Sequence, residues 1–147
     1  MSAQGMVFDY APFTIEAGKI REFAKALQLG NPVYMDAEVA KAAGYRGIPA
    51  PPTFMTVIDY WNERNFYQLF SEFLKLDPNN VLHGEQTYDY HELIVAGDVI
   101  TAQVYVKEQF HKKGKNFFLL ETVYRNQWNA IVATGRATLI EVLEVSI

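Results

Sequence analysis

Gly47-Ile48-Pro49-Ala50-Pro51-Pro52-Thr53-Phe54-Met55-Thr56-Val57-Ile58-Asp59-Tyr60-Trp61 is the stretch whose reading decides the fold. Prolines at 49, 51 and 52 hold the backbone extended and cannot lie inside a helix. An almost unbroken apolar run follows: Phe54, Met55, Val57, Ile58, Tyr60 and Trp61. Pro52 or Thr53 serves as first-turn residue or cap. The run predicts a helix that is apolar on most faces and therefore needs burial on most faces.

Upstream, Met6–Tyr10 reads as a short edge strand and Thr14 as a helix cap. Ile20, Phe23, Ala24 and Leu27 recur at three- and four-residue spacing, one apolar stripe on a helix that Gly30 and Pro32 end near Leu29. A second, alanine-rich helix covers Ala37–Ala43 and closes at Gly44. Downstream, the many apolar residues of Asn62–Asp77 predict one or two helical turns over a groove or partner. Asp77-Pro78-Asn79-Asn80 is a turn.

From Val81 the period becomes two. Leu82, Gly84, Gln86, Tyr88 and Tyr90 fall on one face of a strand, and His83, Glu85, Thr87, Asp89 and His91 on the other. Ile100–Val106 alternates as a strand with one buried face, His111–Asn116 is a hairpin tip, Phe117–Arg125 returns, and Ala130–Val142 is a last β-branched strand. The expectation is an α+β fold, with a long central helix wrapped by a curled antiparallel sheet. A chain of 147 residues is expected to form one domain with a sizeable core.

Composition excludes several functions. With no cysteine there is no disulfide, thiolate chemistry or sulfur metal site, which fits a cytoplasmic location. Three scattered histidines predict no metal. No apolar run is long enough to span a membrane and there is no leader-like start. A net charge of -4 argues against nucleic acid as the main partner. Aromatic residues make up 14% of the chain, more than a small core hides comfortably. Some are expected at an interface or an apolar ligand channel.

Four short pieces, in order, carry a resemblance: Gly30-Asn31-Pro32-Val33-Tyr34-Met35-Asp36, Ala50-Pro51-Pro52-Thr53-Phe54, His83-Gly84-Glu85-Gln86 and Ala96-Gly97-Asp98. Together they resemble the MaoC-like, FAS1-like dehydratase/hydratase family of hot dog folds, from about Phe13 to Leu139. The resemblance implies a hydro-lyase acting on acyl-CoA or acyl-ACP thioesters, without a cofactor. It also implies dimers, homo- or heteromeric, in which two sheets join edge to edge. Active members carry an aspartate two places before an Asn-Pro pair and a histidine two places after the proline. Here those places hold Leu29 and Tyr34 around Asn31-Pro32. A leucine takes no proton, and a phenol is a poor base near neutral pH. The amide that would meet the thioester oxygen falls near Pro51-Pro52, and proline has no N–H.

The chain therefore looks like the substrate-shaping, non-catalytic subunit, with Asp and His supplied by a sister hot dog subunit. Asn31, Tyr34, Pro51, Thr53, Phe54 and Trp61 are then the substrate-binding candidates. The bland reading makes Asn31-Pro32 a cap and the aromatics core. Two alternatives stand beside this one. A self-sufficient homodimeric hydratase would use His83 and Glu85, read at i,i+2 on one strand face, as its acid–base pair. An acyl-thioester-binding module would have no activity. The lysines at the His111–Lys115 tip read either as a solvated turn or as a contact for an acidic carrier.

Overall fold

The computed structural model describes residues 2–143. Strands β1 (Val7–Asp9) and β2 (Phe13–Thr14) precede helix α1 (Ala17–Ala26), and a 3-10 turn at Pro32–Tyr34 leads to α2 (Ala37–Ala42). A 3-10 turn at Pro52–Phe54 runs into α3 (Met55–Trp61). Helix α4 (Phe66–Gln68) continues as a π turn over Leu69–Phe73. Four long strands follow: β3 (Val81–Tyr90), β4 (Val99–Lys112), β5 (Lys115–Arg125) and β6 (Ile131–Val142).

The sheet is antiparallel, in the order β1-β4-β5-β6-β3, with β2 also on β4. This is an α+β, hot dog-like plan, but two features of the expected picture are corrected. The sheet is open: its path has two ends, β3 never meets β1, and it does not curl around the helix. Nor is the central helix long, because its α-helical part is seven residues, about 10 Å. Buried Asn62 stops it by turning extended, donating to the Ala11 carbonyl and accepting from the Arg64 N–H at 2.9 Å. Of the apolar residues in the run only Phe54, Met55 and Ile58 are fully buried, while Tyr60 and Trp61 are exposed. The sheet covers one side of α3, and the Phe54 ring packs edge-on against Phe23 of α1, 5.5 Å between centroids.

Local chemistry explains the other elements. Thr14 is not the cap of α1; it pairs with Val99 in the sheet, and Glu16 takes the N-cap position without a side-chain bond. Asp36 caps α2 by accepting from the Glu38 and Val39 amides. At the tip of the β4–β5 hairpin Lys113 and Gly114 have φ of 50° and 72°, the pair of positive values that a tight two-residue hairpin turn requires. Asn126 turns the chain into β6 by accepting from the Trp128 and Ala130 amides.

Strand β3 differs most from its period-two reading. Its register against β6 shifts between His83 and Glu85, so Gly84 is a bulge residue. A side chain there would put its Cβ 2.9 Å from Ile140 Cδ1, which is why a glycine fits.

Candidate functional site

A mostly apolar cleft lies where the proline-rich stretch starts α3. Two backbone bonds, Ala50 N–H to Ile94 at 2.8 Å and Ala96 N–H to Ile48 at 2.8 Å, pin that stretch along Ile94–Ala96. The turn behind it is locked by buried Asp98, which accepts from the Val95 amide at 3.0 Å and pairs with Arg46 at 3.0 Å. Burial pushes the Asp98 carboxyl up, but Arg46, the Val95 amide and Gln127 outweigh it and hold it below the usual carboxylate range. The Tyr90 hydroxyl donates to the Pro52 carbonyl across the cleft. What remains is a mostly apolar hollow of about 250 Å³ lined by Ala50, Pro51, Pro52, Met55, Tyr90 and Leu93.

Of the six substrate-binding candidates, Pro51 alone lines this hollow. Thr53 is exposed and its carbonyl accepts from the Thr56 hydroxyl at 2.8 Å. Phe54 is fully buried in the core. Trp61 lies at the far end of α3, 68% exposed, with Lys19 Nζ 4.0 Å from its ring centroid. There it borders a second trough of about 360 Å³ between α1 and α3, floored by Phe23 and Val57. Asn31 is a cap, accepting from the Val33 amide at 3.1 Å, and Tyr34 packs half-buried against the core. Leu29, two places before Asn31, is half-buried.

His83 and Glu85 are not brought together. The bulge turns His83 toward the helices, where it stacks on Phe66 at 5.6 Å and bonds Gln86 at 3.1 Å. Glu85 lies on the opposite face with Thr87, Thr138 and Leu119. The expectation that they share a face is corrected.

Sequence reasoning did not single out Asp59. It is buried on α3 and accepts from the hydroxyls of Tyr88 at 2.9 Å and Tyr124. Burial raises its carboxyl to about 6, against the hydrogen bonds from Tyr124 and Tyr88, which favour the charged form. The same burial, with the Asp59 charge, raises the phenols of Tyr10 and Tyr124 well above their ordinary value. An aspartate inside an apolar run, with tyrosines far along the chain, was the available signal. The cluster ties α3 to the sheet and lines none of the clefts described above. Among the described residues no group of three or more His, Asp or Glu side chains is placed to hold a metal, and no helix is long and apolar enough to cross a membrane.

Comparison with known proteins places this geometry. The family model described as the FAS1-like dehydratase domain region matches residues 2–135. The UPF0336 protein of Clavibacter michiganensis is 34% identical over 131 residues, covering 88% of this chain and 86% of that one. The UPF0336 protein of Thermobifida fusca is 35% identical over 129 residues, with 88% and 84% covered. Among solved structures, a truncated HadBC (3R-hydroxyacyl-ACP dehydratase) complex from Mycobacterium tuberculosis superposes with a TM-score of 0.80 at 23% identity, covering 95% of this chain and 98% of that one. The (R)-hydratase from A. caviae has a TM-score of 0.72 at 19% identity, covering 92% and 94%. At such identities the two structures speak for the fold.

Proposed function

We infer function from one premise: this chain belongs to the FAS1-like dehydratase domain family, with the hot dog fold of MaoC-like dehydratases and hydratases. Within that family we propose that it is the substrate-binding, non-catalytic subunit of a (3R)-hydroxyacyl-thioester dehydratase. The observation that carries this is chemical. The two positions flanking Asn31-Pro32 that would hold the acid–base pair are Leu29 and Tyr34, and Asn31 spends its side chain on a backbone cap. Leucine carries no transferable proton, and a phenol is by nature a poor base for this step.

The remaining features suit holding an acyl chain. The hollow at Pro51–Met55 is walled by apolar side chains, where each buried methylene contributes roughly 0.8 kcal/mol. Strand β3 is the free edge of the sheet beside it, and an edge of this length wants a partner strand. A sister hot dog subunit bearing Asp and His would join there and complete the reaction; the substrate would be an acyl-CoA or acyl-ACP thioester. A homodimeric enzyme built on His83 and Glu85 gains no support, since the two lie on opposite faces of the sheet.

The test is hydration of crotonyl-CoA and of a longer enoyl-CoA, followed by loss of enoyl absorbance, with the protein alone and mixed with an Asp/His-bearing sister subunit. The expected result is turnover in the mixture only, with the longer chain gaining more from this subunit than the shorter. Turnover by the protein alone, abolished by His83→Ala, would overturn the proposal.

A further inference from the structure

The face of the sheet turned away from the helices carries a feature that the proposed reaction does not use. Residues that alternate with the buried Phe118, Leu120 and Leu139 point outward on β5 and β6. Four of the outward residues stand directly opposite one another across four strands. Leu82 of β3 pairs with Ile140 of β6, Ile140 with Phe117 of β5, and Phe117 with Phe110 of β4. The two phenyl rings are stacked at 4.9 Å with planes 6° apart. Leu82 is 56% exposed and Phe110 38%, and Ile140 and Phe117 are only partly covered. A straight apolar row across an open sheet is a liability unless something covers it.

The rows on either side differ in charge on β4, with Lys112 on one side of Phe110 and Glu108 on the other, although Lys107 lines the same hollow as Glu85. On the hairpin side Lys112 lies directly opposite Lys115, a like-charge cross-strand pair that disfavours the isolated hairpin. On the other side Glu108 lies opposite Leu119, and Glu85 opposite Thr138. Among the described residues Lys112, Lys115, Glu108 and Glu85 have no ion-pair partner within 4.0 Å, whereas Arg136, further along the same face, is held by Asp89 at 2.8 Å and Glu121 at 3.6 Å.

We propose that this face is a self-complementary docking surface for a second copy of this chain. The copies are related by a two-fold axis parallel to the Leu82–Ile140–Phe117–Phe110 row. Such an axis keeps position across the strands and reverses position along them. Each apolar side chain meets its own counterpart, and on β4 Lys112 of one copy lies over Glu108 of the other. An acidic partner would satisfy Lys112 and leave Glu108 opposed, which is why a second copy fits better. With strands ~4.8 Å apart and sheets packing ~10 Å face to face, the row and its banks cover roughly 400 Å² per copy. That is about half the footprint of a standard stable interface, so the contact is weak and concentration-dependent. It uses side chains on the face of the sheet and leaves the backbone edge of β3 open, so two edge-joined dimers could dock through it.

The chain has no cysteine, which makes disulfide trapping a clean test. Phe110→Cys places one thiol on the axis, and Gln103→Cys on the same strand, outside the row, is the control. Under mild oxidation Phe110→Cys is expected to form a covalent dimer at least tenfold faster than Gln103→Cys. Adding Lys112→Glu or Glu108→Lys alone should slow it about tenfold, and adding both should bring it back to within about twofold. Equal rates for the two thiols, or a double charge variant as slow as the single ones, would overturn the proposal. Thermal melting of each variant shows that the monomer is folded. Hydration activity in the sister-subunit mixture reports separately on the β3 edge, so failure of one reading leaves the other standing.

Discussion

Asp59 shows how one residue carries an energetic cost that composition does not reveal. Its folded carboxyl is raised to about 6 from an ordinary 3.8, because burial penalises the charge more than the tyrosine hydroxyls relieve it. A raised folded value stabilises the protein fully below the unfolded value, and that contribution is lost as pH rises through about 6. Between pH 3.5 and 7 the wild type should lose on the order of 2–3 kcal/mol that an Asp59→Asn variant, which does not titrate there, keeps. Urea melts at both pH values measure this, and a difference between the two proteins that does not change with pH would refute it. At this scale the sequence was partly legible. Leu29 and Tyr34 were legible through the family resemblance around Asn31-Pro32, since a motif position is one-dimensional. The Asp59 cluster could not, because Tyr88 and Tyr124 reach Asp59 from two separate strands, β3 and β5.

At the scale of elements, the order of helices and strands follows from periodicity, and Asp36, Asn126 and Gly114 do the local work that their types suggest. Strand β3 shows where periodicity stops. Period-two reading puts His83 and Glu85 together, but one inserted residue moves everything before it to the other face. Glycine within a strand was the only sign. Gly84→Val should bring its Cβ against Ile140 Cδ1, 2.9 Å away. Because the tip of an isoleucine can move, the expected loss is only about 1–2 kcal/mol, a fall of a few degrees in Tm by calorimetry. An unchanged Tm would mean that the bulge is not a constrained position.

For the molecule as a whole, the open sheet leaves β3 as a ten-residue edge strand. In a lone monomer the outward amides of β3 should exchange with solvent within the dead time of the measurement, while those bonded to β6 stay protected. In the mixture with a sister subunit the outward amides should become protected as well. Hydrogen exchange followed by mass spectrometry tests this, and outward amides as fast in the mixture as alone would argue against edge pairing. The sequence by itself determined the α+β class, the order of elements, the family likeness and the presence of Leu29 and Tyr34 around Asn31-Pro32. All of these reside in short-range pattern and residue identity. Only the tertiary structure decided that the central helix is short, that the sheet stays open, that Phe54 is core while Pro51 lines the hollow, and that His83 faces away from Glu85. Those outcomes depend on register, bulges and a capping asparagine bonded to a distant loop, and contacts between residues far apart in the chain leave no periodic trace in it.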